Sequence, residues 1–107
     1  MTGIWVYRCR RLPVGIKVEG HSGYAEAGAD IVCAAVSVLV QTLHIGLSEF
    51  VHNDPVVKVN EEDALIELRW QNDGSRELNV LVETVVKALS ETARSYKEYV
   101  KFVEVSL

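Results

Sequence analysis

Cysteine is scarce in this chain: two residues in 107, Cys9 and Cys33. No CxxC occurs, and the three histidines do not stand at zinc-ligand spacing beside the cysteines. No metal and no cofactor is expected, and the cysteines read as thiols rather than as a bridge. Basic charge is also short. Eleven Lys and Arg face fifteen Asp and Glu, for a formal charge of −4 and a pI near 5.3. That excludes a broad nucleic-acid surface, so no direct nucleic-acid partner is expected. The one basic cluster, "RCRR" at 8–11, reads as a solvated turn. No apolar run reaches the ~20 residues of a membrane span. The opening "MTGIWVYRCRRLP" puts apolar residues before basic ones, the reverse of a signal peptide. No membrane partner and a cytoplasmic location are expected. Repeats and low-complexity tracts are absent.

What is present is apolar residue, 49% of the chain. That is enough for one packed core, and residues 1–107 read as a single domain. Alternation over residues 4–9 predicts a strand with Trp5, Tyr7 and Cys9 on one side. Cys9 is expected to pack there. "RRLPVG" reads as a turn punctuated by Pro13 and Gly15, and Val14, Ile16 and Val18 as one face of a second strand. "GHSGYAEAG" is loop chemistry. Residues 30–52 read as a long helix, apolar on nearly every side, which must be covered on more than one face. "HNDP" ends it. Residues 56–59 and 65–70 form a second hairpin with Ile66, Leu68 and Trp70 inward. A second helix follows "QNDGS", and Val103, Val105 and Leu107 share a face of a closing strand. The order is ββαββαβ, an α+β fold with two helices packed against antiparallel sheet.

Chemistry concentrates between residues 20 and 37. With Asp30 as N-cap, Cys33 falls at the third helical position. There the unpaired amides and the positive dipole end favour the thiolate, which is the reactive form. His21 lies twelve residues earlier, across a glycine-bearing loop that can fold back, and suits a Cys–His nucleophilic pair. Asp30 serves as cap or orients His21. Ser37, one turn beyond Cys33, either donates into the site or bonds back to the Cys33 carbonyl. The helix-start amides, that of Cys33 included, are candidates for an oxyanion hole. Gly28 just before the helix would admit a substrate backbone, and Tyr24 and Glu26 stand in a loop that would close over it. His44 is eleven residues along the helix, ~16 Å away by its rise, and out of reach. It reads as core or interface. His52 complements the helix C-terminus.

"GHSGYAEAGADIVCAAVS" resembles the signature of the bacterial ribosomal-processing cysteine proteases, the Prp family: Gly-His, a short glycine-bearing loop, then Asp-Ile-Val-Cys-Ala and a serine. The resemblance implies a homodimeric protease that removes an N-terminal extension from large-subunit ribosomal protein twenty-seven, so its partner is that precursor. Cys33 would be the nucleophile, His21 the general base, and Asp30 an aid to the histidine or the helix start. Gly20, Ser22, Tyr24, Glu26, Gly28 and Ser37 would contact substrate. Ser22 departs from the alanine of many members. Two alternatives stay open: a non-enzymatic ribosome-associated binding module, and another acyl transfer by the same pair.

Overall fold

The computed structural model describes residues 1–20 and 27–107, with the side chains of 1–20 and 31–107. Strands β1 (Thr2–Cys9) and β2 (Leu12–Glu19) lead into helix α1 (Ala27–Ile45), which runs on as a π-helical segment, Gly46–Phe50. Then come β3 (Val56–Asn60), β4 (Leu65–Arg69), α2 (Arg76–Ser95) and β5 (Val100–Ser106). The order is the expected ββαββαβ. All five strands join one sheet, β3-β4-β2-β1-β5. Three neighbouring pairs are antiparallel, and β5 adds a parallel edge to β1, so the sheet is mixed. The reason is the two helices. Each connects strands of the same sense, α1 from β2 to β3 and α2 from β4 to β5, as crossovers do.

Both helices lie on one face of the sheet. Ile4 and Val6 of β1 stand opposite Val18 and Ile16 of β2, and Ile16 stands opposite Leu68 of β4. All of these are buried with Val32, Val36, Val40, Leu43 and Leu47, which recur at helical spacing along α1 and its π-helical end. Leu78, Val82, Val85 and Leu89 of α2 close the same core. Each fully buried Leu or Ile contributes about 1.5–3 kcal/mol. Gly46 lets the helices meet: a Cβ there would lie 2.6 Å from Leu81.

Among the described residues, the other sheet face carries no helix. Trp5 lies over Gly3, Lys17 sits 4.5 Å above the Trp5 ring, and Arg69 sits 4.4 Å above the Tyr7 ring. Val103 and Val105 pair with Trp5 and Tyr7, which puts them on this face. Cys9, at the end of β1 on the same side, is exposed rather than packed, because no layer covers that end.

The first turn differs from the reading of "RRLPVG". It consists of Arg10 and Arg11 alone, both at positive φ (53° and 71°), between the paired Cys9 and Leu12. Pro13 and Gly15 lie inside β2, with Pro13 opposite Arg8 where the register shifts. That shift is a bulge, one place a strand tolerates proline. The "RCRR" cluster is divided. Arg10 and Arg11 are exposed, whereas Arg8 turns to the helical face and forks onto Glu83 at 2.9 Å, with Glu104 at 3.2 Å. Those bonds, Glu83 first, raise the Arg8 guanidinium above its ordinary value against the opposing effect of burial.

α1 also corrects the reading of apolar runs. Residues Ile31–Phe50 form a helix long and apolar enough to cross a membrane by length and composition. Ser37, Gln41, Thr42, His44 and Ser48 interrupt a strictly apolar run, and Glu49 is the one residue in it with a fixed charge. Its buried stripe of Val32, Val36, Val40 and Leu43 nonetheless packs on the sheet as a core helix does.

Candidate active site

α1 begins at Ala27, three residues before the expected start. Alanine is the best helix former, and the single Gly28 costs only about 1 kcal/mol, so "AGAD" extends the helix instead of preceding it. Asp30 is therefore the fourth helical residue and not the N-cap, and Gly28 is the second and not a residue ahead of the helix. Cys33 is the seventh. Its amide is committed to an intrahelical bond by the i→i−4 pattern, so it is no oxyanion donor. The amides without an intrahelical acceptor belong to the first turn, Ala27 to Ala29. The dipole benefit also fades beyond that turn. Support for a thiolate at Cys33 must come from neighbouring side chains.

One such neighbour is Thr2. Its Oγ1 lies 3.9 Å from Cys33 Sγ and 3.4 Å from the Gly20 carbonyl, to which it donates. Cys33 is half-buried, and Thr2 is only 2% exposed. Thr2 belongs to the site although spacing arguments did not pick it out. The signal was strand alternation: Thr2 shares the helix-facing side with Ile4 and Val6 and is the polar member of that row.

Gly20 is fixed from three sides. Its N–H is shared between the carbonyls of Asp63 (3.2 Å) and Ala64 (3.3 Å) in the β3–β4 turn. Its carbonyl takes the Thr2 hydroxyl. Its φ is +97°, and a Cβ there would lie 2.7 Å from the Met1 carbonyl oxygen. Residue 20, which leads directly into His21, is thus held at the start of β1, within reach of the same hydroxyl that meets Cys33. The motif's two ends are brought together by β1 and the β3–β4 turn.

His21, Ser22, Tyr24, Glu26 and the Asp30 side chain lie outside the described residues. Ser37 is exposed on α1, and its hydroxyl makes no hydrogen bond among the described residues, to the Cys33 carbonyl or otherwise. His44 is half-buried in the last turn of α1. His52 follows the π-helical segment with φ 59° and is exposed. A cleft of about 950 Å³, with Phe50, His52, Asp54 and Trp70 in its lining, opens at the far end of α1 and includes no residue of the motif. Among the described residues, no three His, Cys, Asp or Glu side chains cluster as metal ligands do.

Solved structures share this architecture throughout. SMU.848 from Streptococcus mutans superposes with a TM-score of 0.92 over 100% of this chain and 96% of its own, at 23% identity. The essential ribosomal processing protease Prp from S. aureus, in complex with a substrate peptide, gives 0.87 over 98% and 100% at 16% identity. The same protease with a covalently linked product peptide gives 0.86 at 17% identity, over 98% and 100%. At these identities the likeness shows the fold alone. No curated protein matches the chain. The family model for the cysteine protease Prp matches residues 1–101, which take in β1, Gly20 and Cys33 together, and the chain belongs to that family of cysteine proteases.

Proposed function

We propose that the chain is a cytoplasmic endopeptidase that removes the N-terminal extension of large-subunit ribosomal protein twenty-seven. Cys33 acts as nucleophile and His21 as general base. The observation that carries this reading is the Thr2 hydroxyl reaching both Cys33 Sγ and the carbonyl of Gly20, the residue before His21. The S. aureus protease held with a covalently linked product peptide supports covalent chemistry. In the first step His21 accepts the Cys33 proton and the sulfur attacks the scissile carbonyl. Collapse forms a thioester, and His21 returns the proton to the leaving amine. Water then attacks the thioester, His21 takes its proton, and the sulfur leaves with the extension's new carboxylate bound to neither residue. The first-turn amides of α1 are the donors available for the oxyanion.

The assay is incubation of the purified chain with the extended ribosomal protein, followed by mass spectrometry. One cut that adds water and releases the N-terminal extension is expected. An uncut precursor, or a product one mass unit heavier with its chain intact, would overturn the reading in favour of no reaction or deamidation.

The same reading makes the protease a homodimer through α1. Ile31, Val38 and Ile45 are 61%, 60% and 49% exposed, seven residues apart, along one line of the helix. No Asp, Glu, Lys or Arg occurs from residue 31 to 48. A seven-residue apolar seam some ~21 Å long suits a second helix of the same pattern, which a second copy supplies by symmetry. Light scattering at micromolar concentration should give twice the chain mass, and Val38→Glu should give the single mass with the fold intact. A wild-type monomer would remove this part of the proposal.

A further inference from the structure

Thr2 is the one polar residue in the buried class among the described residues. Its strand partner on β5 is Val100, and the next residues on its face are Ile4 and Val6. A hydroxyl in such surroundings costs free energy unless bonded, and valine has the same shape without that cost. The hydroxyl therefore has work beyond packing. It has one proton and two acceptors, the Gly20 carbonyl at 3.4 Å and Cys33 Sγ at 3.9 Å. Both distances are at the long end for their type, so neither acceptor holds the proton tightly.

We propose that Thr2 is a positioning residue for the nucleophile, its hydroxyl turning from the Gly20 carbonyl to Cys33 Sγ as the sulfur becomes anionic. The proposal rests on the reading of Cys33 as nucleophile. A neutral thiol is a weak acceptor, so in the resting state the carbonyl holds the proton. Loss of the thiol proton to the general base reverses the preference, because a bond to a charged acceptor is roughly twice as strong. No proton leaves Oγ1; only the bond's direction changes. When the sulfur is acylated its charge is gone, and the hydroxyl returns to Gly20. The switch links the charge on Cys33 to the backbone next to His21.

The test reads the sulfur directly. Thr2→Val and Thr2→Ser are made in a Cys9→Ser background, so that Cys33 is the one thiol, and iodoacetamide labelling is timed at about pH 6.5 and about pH 9.5. Val keeps the shape and removes the proton; Ser keeps the proton and removes a methyl. Thr2→Val should label about tenfold more slowly at the lower pH and equally fast at the higher, the fold-change of one charge-assisted bond. Thr2→Ser should stay within about twofold of Thr2 at both. Unchanged labelling of Thr2→Val, slowing of equal size at both pH values, or a Thr2→Ser as slow as Thr2→Val would each overturn the proposal. Precursor cleavage by the same proteins is scored separately. Failure of the protease reading would appear there, whereas failure of the Thr2 proposal appears in the labelling.

Discussion

Cys33→Ala is expected to abolish precursor cleavage, lowering kcat/KM by about 10⁴-fold or more, while Cys9→Ser leaves it unchanged. The contrast follows from where the two sulfurs sit. Cys33 is half-buried on α1, with Thr2 Oγ1 against its sulfur and the entry to His21 beside it. Alanine keeps the helix, since it is the best helix former, and removes only the atom that would form the thioester. The melting temperature should therefore move by no more than a few degrees, the effect of about 1 kcal/mol in a domain of this size. Cys9 is exposed at the end of β1, and among the described residues its thiol makes no hydrogen bond. Calorimetry beside a cleavage time course checks both halves. Cleavage by Cys33→Ala at the wild-type rate would remove the nucleophile, and slow cleavage by Cys9→Ser would show that the wrong sulfur was chosen.

Most of the fold was open to sequence reading because its signals are local. The three- and four-residue spacing of Leu78, Val82, Val85 and Leu89 reports directly which side of α2 is buried, whereas alternation over residues 4–9 marks β1 as a strand without telling that its Ile4 and Val6 side faces the core. α2 starts where "QNDGS" marks a helix start, and Ser75 caps it by accepting from the Leu78 N–H. The boundaries that failed are those where local chemistry was permissive. Nothing in "AGAD" forbids helix, so the acidic residue most attractive as a cap, Asp30, proved to be inside α1. Arg10 and Arg11 are poor residues for positive φ, so turn statistics drew the turn of "RRLPVG" too long, out to Pro13 and Gly15. The parallel β1–β5 pairing is a consequence of two crossovers, a property of the whole chain and not of any segment.

The site divides in the same way. Cys33 could be proposed from its place near a helix start beside a glycine-bearing loop, but the benefit first assigned to it, a position at the helix terminus, belongs to residues two turns earlier. Thr2 and the β3–β4 turn reach the site from residues 31 and more than 40 positions away in the chain, so spacing within the motif carries no trace of them. What makes the motif work as a unit is long-range. β1 brings the hydroxyl, the β3–β4 turn brings two carbonyls, and Gly20 is where both meet.

That meeting point predicts the second large effect. Gly20→Ala should lose about 10²-fold or more in cleavage rate even at temperatures where the protein is fully folded, and should melt on the order of 10 °C lower. Two separate penalties apply. At φ +97° an L side chain is strained, at a cost of about 1–3 kcal/mol. The new Cβ would also stand 2.7 Å from the Met1 carbonyl oxygen, a backbone atom that cannot rotate aside. Relief requires β1 and residue 20 to part, which stretches the bonds from Thr2 Oγ1 to the Gly20 carbonyl and from the Gly20 N–H to Asp63 and Ala64. Each of those bonds holds residue 20, the residue before His21, in place beside Thr2 and the β3–β4 turn. Gly74→Ala separates strain from displacement. Gly74 has φ +83° but nothing within 4 Å of a would-be Cβ, and it sits in the turn before α2, apart from the motif. It should lose stability by about 1 kcal/mol and keep the full cleavage rate. If Gly20→Ala also cleaves at the wild-type rate once folded, the backbone at residue 20 is a structural hinge with no part in aligning the pair, and the coupling of Thr2, Gly20 and Cys33 loses its catalytic meaning.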